Sequence, residues 1–79
     1  MIKSTQNNRV KNWVKLHTKK ERVKTNTFII EGYHLIEEAW KSKWNITEVI
    51  IQKGIEYPSW IEELPITYVN DIVFQHIAQ

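Results

Sequence analysis

The sequence contains no cysteine, two glycines, two prolines and a single methionine among its 79 residues. Without cysteine there is neither a disulfide framework nor a thiolate metal site, which fits a cytoplasmic protein. No apolar run approaches the ~20 residues that a membrane-spanning helix needs. The opening MIKSTQNNRVK also lacks the apolar core of a secretory signal. The three histidines, His17, His34 and His76, lie far apart, and no pair has a metal-ligand spacing. Neither G-x-x-x-x-G-K-[ST] nor G-x-G-x-x-G occurs, so no phosphate loop is encoded. The acid pairs Glu37–Glu38 and Glu62–Glu63 occupy adjacent helical positions that point in different directions. They read as solvated faces, and no catalytic couple emerges.

What is present is charge, strongly segregated. The net charge is only +2. Residues 1–24 nevertheless hold eight cations against the single acid Glu21, a balance of +7, whereas residues 25–79 hold three lysines against eight acids, a balance of −5. Such separation points to an anionic partner for the first third of the chain, most often nucleic acid. A plain solvated face is the other reading of the charge alone. Four tryptophans (Trp13, Trp40, Trp44 and Trp60) supply bulk for the core of a small domain.

Periodicity orders the elements. Ser4 or Asn7 caps a first helix over about Asn8–His17, whose apolar stripe is Val10, Trp13 and Val14. Lys11, Lys15 and Lys19 recur every four residues and line another face if the helix runs that far. Thr18–Asn26 is a second helical turn or a basic loop, with Asn26 suited to a left-handed exit. Phe28–Ile30 is a continuous apolar run, expected to be a strand covered on both faces. Glu31-Gly32 ends it, and a helix follows over Tyr33–Lys43 with Leu35, Ile36, Ala39 and Trp40 on one face. A second strand spans Ile46–Ile51, a helical turn Trp60–Leu64, a third strand Ile66–Val69, and Asn70 caps a last helix with Val73, Phe74 and Ile77 inward. This order predicts an α/β domain with a largely parallel small sheet. Trp13 and Trp40 are expected in the core. Trp44 and Trp60 lie near turns, either packed or available to stack on a base.

Taken together, Ser4, Asn7, Lys11, Leu16, the K-E-R of Lys20 and Arg22, Phe28, Glu31-Gly32 and the helix YHLIEEAW resemble the N-terminal substrate-binding domain of the SpoU (TrmH) family of RNA ribose 2′-O-methyltransferases. ITEVIIQ and DIVFQHIA extend the similarity along the chain. Asn26 stands where that family more often has glycine, a mild change because asparagine also enters the left-handed region. The resemblance implies a ribosomal-protein-like three-layer α/β/α sandwich, with a further strand after the last helix. This sequence stops before such a strand, and it is expected to be an N-terminal piece of a longer protein. A missing strand would leave a sheet edge free for homodimerisation.

The family's knotted catalytic domain binds S-adenosylmethionine and carries the methyl-transfer residues. None of it is in this sequence, so the resemblance implies no cofactor and no catalytic residue here, only in the parent protein. The expected partner is structured RNA, ribosomal or transfer, with neither a membrane nor a metal involved. A single domain is expected over 1–79, with 1–26 a basic helix and loop and 27–79 the α/β core.

Arg9, Lys11, Lys15, Lys19, Lys20, Arg22 and Lys24 are the candidate RNA contacts, because lysine and arginine displace counterions from phosphates. Arg22 is suited to a forked phosphate contact or to pairing with Glu31. Glu31 is expected to serve the start of the following helix, and Gly32 a sharp turn. His17 lies beside the basic run, within reach of a phosphate or base, or on the helix surface. Two other functions stay open: a stand-alone RNA- or ribosome-associated module, and a structural dimerisation unit.

Overall fold

Local signals start and stop the helices. In the computed structural model, which describes residues 1–78, Ser4 Oγ accepts from the Gln6 amide and turns the chain toward Asn7. The Asn7 side chain then accepts from the Arg9 amide at 2.8 Å and opens α1 (Asn8–Lys15). Thr18 caps α2 (Lys19–Thr25), and Asn26 closes it in the left-handed region at φ 52°. Gly32, at φ 99°, turns the chain into α3 (Tyr33–Lys41), a conformation that suits a residue without Cβ. Asn70 caps α4 (Asp71–Ile77) by accepting from the Val73 amide at 2.8 Å.

Between α3 and α4 come β1 (Val49–Gln52), a 3-10 turn over Ser59–Glu63 and β2 (Ile66–Val69). The two strands pair in parallel, with Val49 opposite Ile66 and Gln52 opposite Val69. Ile2 bridges the far side of Val69, donating to the Tyr68 carbonyl and accepting from the Asn70 amide. Alternation along the strands sends side chains to both faces. On one face, Val10 and Trp13 of α1 are buried with Val69, Val73 and Ile77, and Ile50 packs against them. On the other, Val49, Ile51 and Ile61 are buried, with Ile36 of α3, Trp60 and Ile66 around them. Helices α1 and α4, the sheet, and α3 with the 3-10 turn therefore form three layers, the small α/β arrangement expected from the sequence. Trp40 and Trp60 stack at 5.2 Å with planes 14° apart, on the α3 side.

One expected strand does not form. Phe28–Ile30 makes no strand pairing, and Phe28 is 54% exposed. Ile29 packs on the α1–α4 cluster, and a cavity of about 700 Å³ separates this run from β1. β propensity reports how a side chain fits a pleated surface, whereas pairing requires a neighbouring backbone at hydrogen-bonding distance. Among the described residues, the edge of β1 opposite β2 has no strand partner. The first helix is also shorter than its stripe suggests. It ends at Lys15, so Lys19 opens α2 and does not extend the Lys11–Lys15 row.

Candidate nucleic-acid interface

Lysine content decides the outer surface of α1 and α2. The apolar stripe of α1 turns Val10 and Trp13 inward, which leaves Lys11 and Lys15, four residues apart, exposed on another face. No residue of α2 is buried, and Lys19, Lys20 and Lys24 are all exposed along it. Among the described residues, none of these five lysines forms an ion pair with a protein carboxylate. Their charge faces solvent; α1, which carries Lys11 and Lys15, is anchored through the buried core beneath it.

The two arginines behave differently. Arg22 is half-buried, and its Nη1 donates to the Leu16 carbonyl at 3.3 Å and the His17 carbonyl at 2.9 Å. These carbonyls belong to the end of α1, where backbone acceptors lack helical partners and a cation is favoured. Arg22 thus fastens α2 to the end of α1. It makes no ion pair with Glu31, which corrects one of the two expectations for it. Nor does Glu31 cap α3, whose start has no side-chain cap. The turn at Gly32 leaves the Glu31 carboxylate exposed instead.

Arg9 is held by a residue that sequence reasoning passed over. Glu48, just ahead of β1, pairs with Arg9 Nη2 and accepts from the Thr67 hydroxyl; its other oxygen accepts from Trp13 Nε1 at 3.1 Å. Arg9 also lies 5.3 Å from the centre of the Trp13 ring, a cation–π arrangement. A carboxylate at the mouth of an apolar strand was the available signal for Glu48. His17 is likewise committed internally, its Nε2 donating to the Ile77 carbonyl at the end of α4, 2.6 Å away. The lysines face outward while Arg9, Arg22 and His17 fasten helices to the body of the domain.

Beside α2, Phe28 meets Trp44 edge to face at 5.7 Å, and both rings are more than half exposed. No cluster of three or more His, Asp or Glu side chains that could hold a metal occurs among the described residues. No helix there is long and apolar enough to cross a membrane.

A small α/β scaffold with exposed lysines, free of protein carboxylates among the described residues, on its first two helices is suited to an anionic partner. Residues 7–79 match the model of the MRM3-like substrate binding domain, and the chain belongs to that family, in agreement with the resemblance read from its motifs. Among curated proteins it is similar to the 23S rRNA (guanosine(2553)-2′-O)-methyltransferase RlmP of Bacillus subtilis (strain 168), with 54% identity over 61 residues. That alignment covers 77% of this chain and 25% of the relative, so the chain matches about a quarter of that protein's length.

Proposed function

We propose that residues 1–79 form one RNA-capturing domain of a ribosomal RNA ribose 2′-O-methyltransferase, and that Lys11, Lys15, Lys19, Lys20 and Lys24 make its phosphate contacts. The observation that carries this reading is the lysine surface of α1 and α2, exposed and free of protein carboxylates among the described residues. Lysines so placed release counterions on meeting a phosphate backbone, and that release gives affinity without sequence information. The buried core beneath α1 fixes how a folded RNA is presented, which lowers the entropic cost of bringing a ribose to a catalytic centre. Arg9 and Arg22 contribute mainly by holding the helices in register, with their remaining N–H groups directed to RNA only secondarily.

Ribosomal RNA is favoured over transfer RNA by the name of the relative, which specifies 23S rRNA. Methyl transfer from S-adenosylmethionine belongs to another part of a longer polypeptide acting in the cytoplasm. The open cavity beside β1 mixes isoleucines such as Ile29, Ile36, Ile46 and Ile50 with polar side chains such as Asn26, Asn45, Thr47 and Glu48. No step of the transfer is assigned to this chain.

Binding of the chain to a 23S rRNA fragment and to transfer RNA, beside a Lys15→Glu/Lys20→Glu/Lys24→Glu variant, tests the proposal. Salt-sensitive binding that the variant loses while staying folded supports it. Equal binding by the variant would move the contacts elsewhere. The unpaired edge of β1 favours one second reading, a dimerisation unit whose charge is incidental. Dimers indifferent to RNA and salt in gel filtration would favour that reading.

A further inference from the structure

Phe28 and Trp44 are the most exposed aromatic residues among the described residues. They are large, apolar and more than half exposed, at 54% and 55%, yet they touch each other at 5.7 Å with planes 73° apart. An edge-to-face pair leaves a ring face uncommitted. The backbone holds Trp44 in this position through the end of α3. Lys43 adopts φ 62°, the Lys43 amide bonds to the Trp40 carbonyl, and the Trp44 amide reaches back to the Ala39 carbonyl at 3.0 Å. A lysine in the left-handed region is uncommon, and this one directs the chain so that the indole meets Phe28.

Cations border the Phe28 side of this pair. Phe28 shares an open hollow of about 450 Å³ with Lys19 and Arg22. Arg22 uses Nη1 on the α1 carbonyls, and no protein acceptor for its Nη2 occurs among the described residues. An exposed aromatic pair beside a lysine and a guanidinium combines the two elements of single-strand recognition, a stacking face and a backbone cation. A paired helix cannot use the stacking face, because its bases are already stacked.

Resting on the RNA reading above, we propose that Phe28 and Trp44 form a stacking platform for an unpaired base of the RNA, with Lys19 and Arg22 on the adjoining phosphate. The domain therefore distinguishes RNA with a single-stranded segment from uninterrupted duplex. Its lysine face supplies general affinity and this platform supplies the preference.

The test compares a blunt RNA duplex with the same duplex carrying a short single-stranded overhang, each titrated with the 79-residue chain across a salt series. The overhang is expected to tighten binding about tenfold, the size of one aromatic–base stack. Phe28→Leu and Trp44→Leu each remove most of that gain while leaving duplex binding and its salt slope unchanged. An overhang of abasic sugars, which requires no change to the protein, keeps the phosphates for Lys19 and Arg22 but offers no base, and is expected to lose most of the gain. An overhang preference that is absent in the unsubstituted chain, or that survives both substitutions or the abasic replacement, overturns the platform. Failure of salt-dependent binding to both RNAs would overturn the RNA reading itself, and the platform with it.

Discussion

Glu48 is a single carboxylate on which three partners converge, so its removal has a cost that can be worked out from the structure. Its side chain is 22% exposed, and Trp13, whose Nε1 it accepts, is 9% exposed. Arg9 is 54% exposed, so the ion pair itself is screened and contributes about 0.2–1 kcal/mol. Glu48→Ala also leaves the Trp13 indole donor without its acceptor, which costs about 1–3 kcal/mol for a buried polar group. The Thr67 hydroxyl can turn to water and adds little. The total is about 1–4 kcal/mol, or roughly 5–30 °C in Tm for a domain of this size. Glu48→Gln keeps an acceptor for Trp13 and gives up the charge, so it is expected to cost about 1 kcal/mol or less. Thermal and urea unfolding followed by circular dichroism would measure both, with an Arg9→Ala cycle to isolate the ion pair. A Glu48→Ala variant within about 0.5 kcal/mol of the parent, the range of ordinary surface substitutions, would refute the reasoning. So would Gln and Ala variants of equal stability.

Arg22 and Lys20 are expected to separate stability from binding. Arg22→Ala removes a charge-assisted link to two carbonyls and costs about 1–2 kcal/mol in urea unfolding. Lys20→Ala changes stability by less than about 0.5 kcal/mol and weakens RNA binding instead. Tyr57 supplies the pH dependence. Its hydroxyl bonds to that of Tyr68 at 2.6 Å and reaches Glu62 at 3.1 Å. The Tyr68 hydrogen bond foremost, then burial and the Glu62 carboxylate, push its ionisation above that of a free tyrosine. A raised value in the folded state favours the protonated phenol. The associated stability is therefore complete below the unfolded value of about 10 and is lost as pH rises beyond it. Tyrosinate absorbance should show a late-titrating group that Tyr57→Phe removes; a titration of all three tyrosines at the unfolded position would contradict the contact.

Features encoded by neighbouring residues were legible in the sequence. Asn7, Asn26, Gly32 and Asn70 all act at helix ends as their chemistry suggests, because caps and left-handed turns depend on a few adjacent atoms. The inward stripes of α1 and α4 and the strand at Ile66–Val69 follow the same local logic. Phe28–Ile30 was misread because a strand requires a partner, and the partner is decided by packing far along the chain. The roles of Arg9 and Arg22 were hidden for a related reason. Charge counts treat every cation alike, whereas Glu48 lies 39 positions from Arg9 in sequence. The lysine face was legible because lysines on a helix with an inward apolar stripe have little choice but to point outward.

The most direct test of the lysine face is the dependence of RNA affinity on salt. Each phosphate neutralised adds about 0.7–0.9 to the slope of log affinity against log salt, measured for DNA and single strands. Five lysines in use therefore predict a slope of about −3.5 to −4.5, becoming shallower by about one for each of Lys15, Lys20 and Lys24 replaced with alanine. A slope near zero in the folded chain, or one unmoved by those replacements, would contradict the assignment of RNA capture to α1 and α2.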